Sequence, residues 1–187
     1  MQKRIYRQRA TYADLVAAPP HLVAELIGGE LVTHPRPVPR HSNASTILAT
    51  LINGPFQLGN SGPGGWWILS EPEIHMDGDV TVPDIAGWRR DRLPMLPKTA
   101  FFELPPDWLC EVLSPATRRF DRGEKRDIYA RHGVRHLWLV EPDDKLLEAY
   151  ELSGDHWTLL RKFKDNDQVA VPPFEAAPFA LGLLWAD

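Results

Sequence analysis

Two apolar segments joined by one predicted helix constrain the fold of this chain more than any other feature. Residues 107–113 (DWLCEVL) and 136–142 (HLWLVEP) are near-continuous apolar runs of strand length, which is typical of central strands buried on both faces. Residues 114–133 predict one helix, with a Ser-Pro entry and a glycine at its end. A strand, helix, strand crossover places its two strands parallel.

The other segments predict strands and helices that complete a mixed α/β domain. The hydrophobic periodicity and turn residues predict a hairpin in 21–34 around Gly28-Gly29, a helix in 41–57 that Gly54-Pro55 ends early, strands in 66–76 and 80–88, a surface loop in 89–106, and an outer hairpin in 146–163. We therefore expect a mixed central β-sheet flanked by helices. Residues 1–20 predict an N-terminal arm with one short helix capped by Thr11, and residues 21–187 predict a single domain.

Composition narrows the class of protein. The chain has 187 residues, of which 43% are apolar and 25% charged, as expected for one globular domain. No apolar run reaches the length of a signal sequence core or a membrane span, so we expect a cytoplasmic protein without a membrane partner. The single cysteine, Cys110, lies in an apolar run and is expected to be buried.

A formal net charge of −4 gives no overall attraction to nucleic acid, so binding would need a local basic face. One basic cluster precedes the first helix, at Lys3, Arg4, Arg7 and Arg9. The other surrounds Lys125 and supplies the predicted nucleic-acid-binding residues Arg118, Arg119, Arg122 and Arg126. The alternative for each of these arginines is a solvated helix surface.

Two acidic residues point to metal chemistry. Glu111 lies inside a fully apolar strand, where an ionised carboxylate is costly unless a partner or a metal compensates it. Asp84 follows Pro83 at the end of a predicted strand, and carboxylates from two neighbouring strands can form a magnesium site. The alternative is a buried Glu111 paired with a helix arginine, or one at a strand end facing water.

The predicted helix between the two core strands supplies a third element. Asp121, Lys125 and Tyr129 are spaced four residues apart and lie on one face of this helix. The helix begins a few residues after Glu111. Lys125 can therefore reach back over the end of that strand, where it could orient a water or stabilise charge on a phosphate. The alternative is an exposed ion pair between Asp121 and Lys125.

Other common catalytic arrangements are missing from the sequence. His41 is a candidate base or metal ligand, but no HxH or HExxH spacing occurs. The sequence also has no GxSxG, Walker loop or CxxC, which argues against a serine hydrolase, a nucleoside triphosphatase or a zinc site.

Four ordered motifs together resemble a known family. They are VPD ending at Asp84, EVLSP starting at Glu111, D-x-x-x-K-x-x-x-Y over 121–129, and G-V-x-x-x-W-L-V-x-P over 133–142. The chain resembles the Uma-type restriction endonucleases, a branch of the PD-(D/E)XK nuclease superfamily. This resemblance extends from AELIGGELV to the C-terminus and implies a restriction-endonuclease-like fold.

The resemblance also implies roles for individual residues. Asp84 and Glu111 would hold the metal, Mg²⁺ with Mn²⁺ as a substitute. The superfamily usually places a lysine two residues after that glutamate, where this chain has Leu113; in this branch the lysine lies on the next helix, which matches Lys125. Glu25 matches a further acid near the metal in related nucleases. The supporting residues are Asp121, Tyr129, His41 and Glu73.

The expected function is metal-dependent endonuclease activity on nucleic acid, with DNA as the expected substrate. In this reaction Lys125 would orient the attacking water beside magnesium held by Asp84 and Glu111. A homodimer is a further expectation, because cutting a duplex needs two sites. One alternative is a catalytically inactive nuclease-fold module that binds nucleic acid or a partner. Another is an interaction protein whose buried acids only form ion pairs. Magnesium binding that depends on Asp84 and Glu111 would distinguish an active nuclease from these alternatives.

Overall fold

The computed structural model describes residues 9–186, which form two main β-sheets and four short to medium α-helices. The helices are α1 (Tyr12–Val16), α2 (Pro39–Ile52), α3 (Arg118–Arg122) and α4 (Glu124–Arg131). The strands are β1 (Leu22–Ile27), β2 (Glu30–Pro35), β3 (Trp66–Ser70), β4 (Ile74–Met76), β5 (Asp79–Thr81), β6 (Ile85–Arg89), β7 (Trp108–Val112), β8 (His136–Glu141), β9 (Leu146–Ser153), β10 (His156–Lys164), β11 (Gln168–Val169) and β12 (Phe179–Ala180). None of the helices described is long and apolar enough to cross a membrane.

The larger sheet contains the predicted crossover unit. Its six strands lie in the order β10-β9-β8-β7-β6-β3, and β7 and β8 are parallel, with Glu111 opposite Leu139. All its other neighbours are antiparallel, including the predicted outer hairpin of β9 and β10. The predicted mixed sheet is therefore confirmed, and the predicted surface loop joins β6 to β7.

The smaller sheet was not anticipated, because two predicted strands are each broken in two. Residues 66–76 form β3 and β4, and residues 80–88 fall into β5 and β6. The breaks lie at Pro72 and Pro83, which have no N–H for a sheet ladder. In each case one half joins the larger sheet and the other joins an antiparallel sheet in the order β2-β1-β5-β4. Asp84 consequently lies at the junction of the two sheets.

The hairpin of β1 and β2 has the predicted two-glycine turn. Ile27 pairs with Glu30, which leaves Gly28 and Gly29 as the loop, with φ of +62° and +85°. Two consecutive positive φ angles match the right-handed twist of the strands and favour glycine at both positions. The turn fixes the register, so Glu25 lies opposite Val32.

The predicted single helix over 114–133 is instead two helices. Gly123 interrupts it with φ −115° and ψ −107°, and a Cβ at this position would lie 2.9 Å from the Arg119 carbonyl oxygen. Gly133, with φ +70°, follows the end of α4 as predicted. Helix α2 begins at Pro39, two residues before the predicted start, and continues as a π-helical turn over Asn53–Gln57 that includes Gly54-Pro55.

Strand β7 is buried on both faces, and its alternation decides where Glu111 points. Trp108, Cys110 and Val112 belong to one core cluster, which includes the buried face of α2. Leu109 belongs to a second cluster on the other face, with residues of α4 and the smaller sheet. Because side chains alternate along a strand, Glu111 shares the face of Leu109 and points between α4 and the smaller sheet.

The N-terminal segment contains the predicted short helix and cap. The Thr11 hydroxyl accepts from the Asp14 amide, and the Asp14 carboxylate accepts from the Thr11 amide at 2.7 Å. Lys3, Arg4 and Arg7 of the first basic cluster lie outside the described residues. The division into an arm over 1–20 and a domain over 21–187 remains a prediction.

Candidate active site

Lys125 is the centre of a buried polar cluster. Its Nζ lies 2.8 Å from Glu111 Oε1, 3.0 Å from Glu25 Oε1 and 3.2 Å from Asp121 Oδ1. These four side chains are each only 2–3% exposed. The predicted contact between Asp121 and Lys125 therefore exists, but it is a buried contact rather than an exposed surface pair.

Five structural elements bring these residues together. Glu25 comes from β1 of the smaller sheet, Glu111 from β7 of the larger sheet, Asp121 from α3 and Lys125 from the first turn of α4. Asp84 comes from the junction between β5 and β6. Glu25 and Asp84 are far from the other three residues in the sequence, so the site depends on packing of the two sheets against each other and against the α3–α4 segment.

Asp84 is held by one main-chain and one side-chain contact. Its Oδ2 accepts from the Val112 amide at 2.7 Å, which fixes the carboxylate beside the end of β7. Its Oδ1 lies 3.2 Å from His41 Nε2, on the first turn of α2. His41, a supporting residue in the sequence analysis, is therefore a direct contact of one predicted metal ligand.

Glu25 and Glu111 are each positioned by uncharged donors or by a histidine. Glu25 Oε1 accepts from the Val82 amide at 2.8 Å, and its Oε2 lies 3.6 Å from His34 Nε2. The hydroxyl of Tyr129 donates to Glu111 Oε1 at 2.6 Å. Tyr129, a supporting residue in the sequence analysis, thus orients Glu111.

The charges of the cluster are not balanced. Burial raises the pKa of Glu111 well above its ordinary value, and the nearby Asp121, Asp84 and Glu25 raise it further against the effect of Lys125. Burial also raises the pKa of Asp121, again against Lys125. Three carboxylates therefore contact one ammonium group, with Asp84 beside them, and a cation bound in this pocket would favour their ionised forms.

Opposite charges favour the ionised forms of Lys125 and Glu25. Burial alone would lower the pKa of Lys125, but the carboxylates of Glu111 and Glu25 hold it well above its ordinary value. Burial alone would raise the pKa of Glu25, but Lys125, His34 and the Val82 amide together lower it to about 2. Burial also opposes protonation of His41, yet Asp84 raises its pKa overall.

The cluster forms the base of a cavity of about 350 Å³, which we call the acidic pocket. Glu25 itself packs behind this base, and Asp84, Glu111, Asp121 and Lys125 line it, with Ser114 and Thr117 beside them. His41, Glu73 and His34 also line the pocket. Glu73 lies farther from the cluster, where it accepts from Tyr12 at 2.9 Å and contacts His75 at 2.7 Å.

The donor set of the acidic pocket fits a hard divalent cation. Carboxylate oxygens are the ligands that Mg²⁺ prefers, and the pocket has more carboxylates than its lysine neutralises. Within residues 9–186, no three His, Cys, Asp or Glu side chains already form a metal-binding group. Asp84 and Glu111 would therefore need main-chain or water oxygens to complete a coordination sphere.

The predicted nucleic-acid-binding arginines do not line the acidic pocket. Arg118 and Arg122 form ion pairs with Glu141, and Arg122 also contacts Glu148 at 2.7 Å. Arg126 lies over the ring of Tyr150, and Arg119 is 84% exposed. Two of the four arginines are thus held in structural ion pairs, and a role for any of them in nucleic-acid binding remains a prediction.

Sequence reasoning missed two cationic residues of the pocket, His34 and Arg36. Both line the cavity from the end of β2 and the segment after it. The two-glycine turn was a usable signal for His34: it pairs Glu25 with Val32 and Val23 with His34, which puts Glu25 and His34 on one face of the hairpin. Arg36 follows the strand and has no comparable signal.

Comparisons with known proteins agree with this architecture. No curated protein matches the chain. Among solved structures, the fold is similar to that of a protein from Anabaena variabilis described as "a putative nuclease belonging to DUF820", with a TM-score of 0.75 and 21% sequence identity over 95% of this chain and 98% of that chain. The family described as "Uma2: Putative restriction endonuclease" matches residues 9–182, and the chain therefore belongs to this family, as the sequence motifs predicted.

Proposed function

We propose that this protein is a metal-dependent endonuclease that hydrolyses phosphodiester bonds of DNA, and that the acidic pocket is its active site. The observation that carries the proposal is the group of three buried carboxylates around Lys125, with Asp84 beside them in the lining of the same cavity. Burial of like charges opposes folding. A fold that nevertheless keeps such a group is expected to use it. Membership of the restriction endonuclease family supports the reaction and the substrate.

Asp84 and Glu111 are the proposed metal ligands, with Mg²⁺ as the physiological ion and Mn²⁺ as a substitute. The contact between Asp84 Oδ2 and the Val112 amide holds one ligand beside the strand that carries the other. When bound, a divalent cation supplies Lewis acidity and neutralises charge on the scissile phosphate. His41 orients Asp84, and Tyr129 orients Glu111 through its hydroxyl.

Lys125 is the proposed catalytic cation of the chain itself. Its pKa is held well above the ordinary value by Glu111 and Glu25, so it is protonated at neutral pH. A protonated lysine at this position can orient the attacking water and stabilise the charge that develops on the phosphate. Glu25 and Asp121 position its ammonium group from two other sides.

The test is cleavage of supercoiled plasmid and of single-stranded DNA with Mg²⁺ or Mn²⁺ by matched neutral variants. Asp84→Asn and Glu111→Gln keep the side-chain shapes and should each abolish metal-dependent cleavage. Glu103→Gln removes an exposed carboxylate outside the pocket and should cleave like the wild type. Circular dichroism and thermal unfolding would show that each variant is folded.

Metal affinity separates the nuclease from an inactive module of the same fold. Calorimetric titration should show Mg²⁺ binding to the wild type and to Glu103→Gln but weak or no binding to Asp84→Asn. A wild-type protein that binds DNA without cleaving it and shows no such metal binding would be an inactive binding module. The proposed homodimer is tested separately by sedimentation of the protein alone and with duplex DNA.

A further inference from the structure

We propose that the acidic pocket admits one unpaired nucleotide of a single strand, and that the preferred substrate is therefore single-stranded nucleic acid rather than an intact duplex. This inference rests on the proposed nuclease function and specifies its substrate. Three features of the pocket carry it: the depth of its base, its apolar wall and the position of Arg36.

The first feature is the depth of the proposed catalytic residues. Glu111 and Lys125 are 2% and 3% exposed and lie at the base of a cavity of about 350 Å³. A cavity of this size is at the lower end of small-ligand sites, which span about 300–1,000 Å³. Its size suits one nucleotide better than a base pair. An unpaired nucleotide can enter such a cavity and bring its phosphodiester to Glu111, as in enzymes that extrude a base from the helix.

The second feature is an apolar wall of the same pocket. It comes from the end of α1 and the segment that leads into β1, and its members include Leu15, Pro19, Pro20 and Val23. A duplex cutter that holds only phosphates has no use for such a wall. A nucleobase and its sugar present apolar faces that can pack against it, as flipped bases do against apolar side chains.

The third feature is the charge at the mouth of the pocket. Arg36 is exposed, lines the cavity and makes no ion pair or hydrogen bond with any other residue in 9–186. Glu71 and Glu73 also line the cavity. A phosphate backbone would be attracted to Arg36 and repelled by the two glutamates. This charge pattern fits one strand that passes along the rim at Arg36.

The first experiment compares a labelled 30-nucleotide single strand with its blunt duplex, at one salt concentration, for both cleavage and binding. Cleavage is measured with Mg²⁺ or Mn²⁺, and binding is measured by fluorescence anisotropy in EDTA. We expect the wild type to cut the single strand at least tenfold faster than the duplex and to bind it more tightly.

Matched variants connect the preference with the pocket. Leu15→Ala should raise KM for the single strand several-fold, whereas Val16→Ala, at the neighbouring 66% exposed position outside the pocket, should not. Arg36→Ala should raise KM about tenfold, Arg36→Lys should restore part of the loss, and Arg135→Ala, outside the pocket, should change nothing.

The outcomes separate this inference from the proposed function. Equal or faster cleavage of the duplex overturns the single-strand inference and leaves the nuclease assignment standing. Preferential single-strand binding that depends on Leu15 and Arg36, without cleavage under any condition, supports the pocket assignment and overturns the nuclease function. Equal effects of the pocket variants and their controls would overturn the assignment of the wall and the rim.

Discussion

Helix α3 contributes to two clusters of buried carboxylates that differ in charge balance. Toward the acidic pocket, Asp121 joins Glu25 and Glu111 around the single ammonium of Lys125, and Asp84 lines the same pocket. Toward β8 and β9, Arg118 and Arg122 contact Glu141, and Arg122 and Lys162 contact Glu148 at 2.7 and 2.6 Å. We call Glu141, Glu148, Arg118, Arg122 and Lys162 the balanced cluster.

The pKa shifts of Glu111 and Asp121 in the acidic pocket have the opposite direction to that of Glu148 in the balanced cluster. Although burial opposes it, the cations Lys162 and Arg122 lower the pKa of Glu148. In the acidic pocket, burial and neighbouring carboxylates raise the pKa of Glu111 and Asp121. Buried acids that have enough cations stabilise the fold, whereas acids with too few create an electrostatic demand that a ligand can meet. Only the second arrangement is a reason to expect chemistry.

The largest expected effect on stability is at the lysine of the unbalanced cluster. Lys125→Met should lower the free energy of unfolding by about 3–5 kcal/mol, because it leaves buried carboxylates without their cation. Lys162→Met, at the exposed lysine of the balanced cluster, should change it little, since Arg122 still contacts Glu148. Urea unfolding of both variants measures the difference, and similar losses would contradict the comparison.

The next effect is stabilisation by a divalent cation. Mg²⁺ at about 100 times its Kd should stabilise the wild type by about 2.7 kcal/mol, because it binds only the folded protein. EDTA should reverse the gain, and Asp84→Asn should lose it. Glu148→Gln, in the balanced cluster, should retain it. Differential scanning calorimetry with and without Mg²⁺ measures these shifts, and an equal gain in Asp84→Asn would contradict the assignment of the ligand.

A smaller effect is expected at the acid shared by two arginines in the balanced cluster. Glu141→Gln should lower the free energy of unfolding by about 1–3 kcal/mol, because it weakens charged hydrogen bonds to both guanidinium groups. Nuclease activity should remain. Asp144→Asn, at the exposed neighbour that contacts Arg118 at 3.4 Å, should stay within about 0.5 kcal/mol of the wild type. If activity fell with stability in Glu141→Gln, the two clusters would not be independent.

The smallest effect concerns the acid side of the stability profile. The pKa of Glu148 is lower in the folded than in the unfolded chain, so its stabilisation is present above the ordinary value of 4.5 and is lost as the pH falls below it. Glu148→Gln should therefore be less stable than the wild type at pH 7 and should lose less stability on acidification. Thermal unfolding between pH 3 and 7 checks this, and parallel profiles of the two proteins would contradict it.

Much of the central architecture was predictable because its signals are local. The apolar runs around Cys110 and Trp138 indicate buried strands, the Gly28-Gly29 pair specifies a tight hairpin, and Thr11 caps a short helix. These patterns depend on a few neighbouring residues, so tertiary packing did not override them. The motifs around Asp84, Glu111 and Lys125 likewise indicate the family from the sequence alone.

The errors lie where local signals compete with packing. Pro72 and Pro83 each divide a segment that has strand composition throughout, and only the three-dimensional arrangement shows that its halves belong to different sheets. Gly123 was compatible with a continuous helix, but its backbone leaves the helical region. The arginines near Lys125 gave no sign of their partners, because Glu141 and Glu148 come from strands further along the chain.

The break at Pro83 has a mechanical consequence. On one side of it the Val82 amide is bonded to Glu25 of the smaller sheet, and on the other Asp84 is bonded to the Val112 amide of the larger sheet. Residues 82–84 therefore connect the two sheets through one hydrogen bond to each of them. A ligand that tightens contacts among the pocket acids would thereby hold the two sheets more firmly together. Substrate binding and the rigidity of the whole domain would then be coupled.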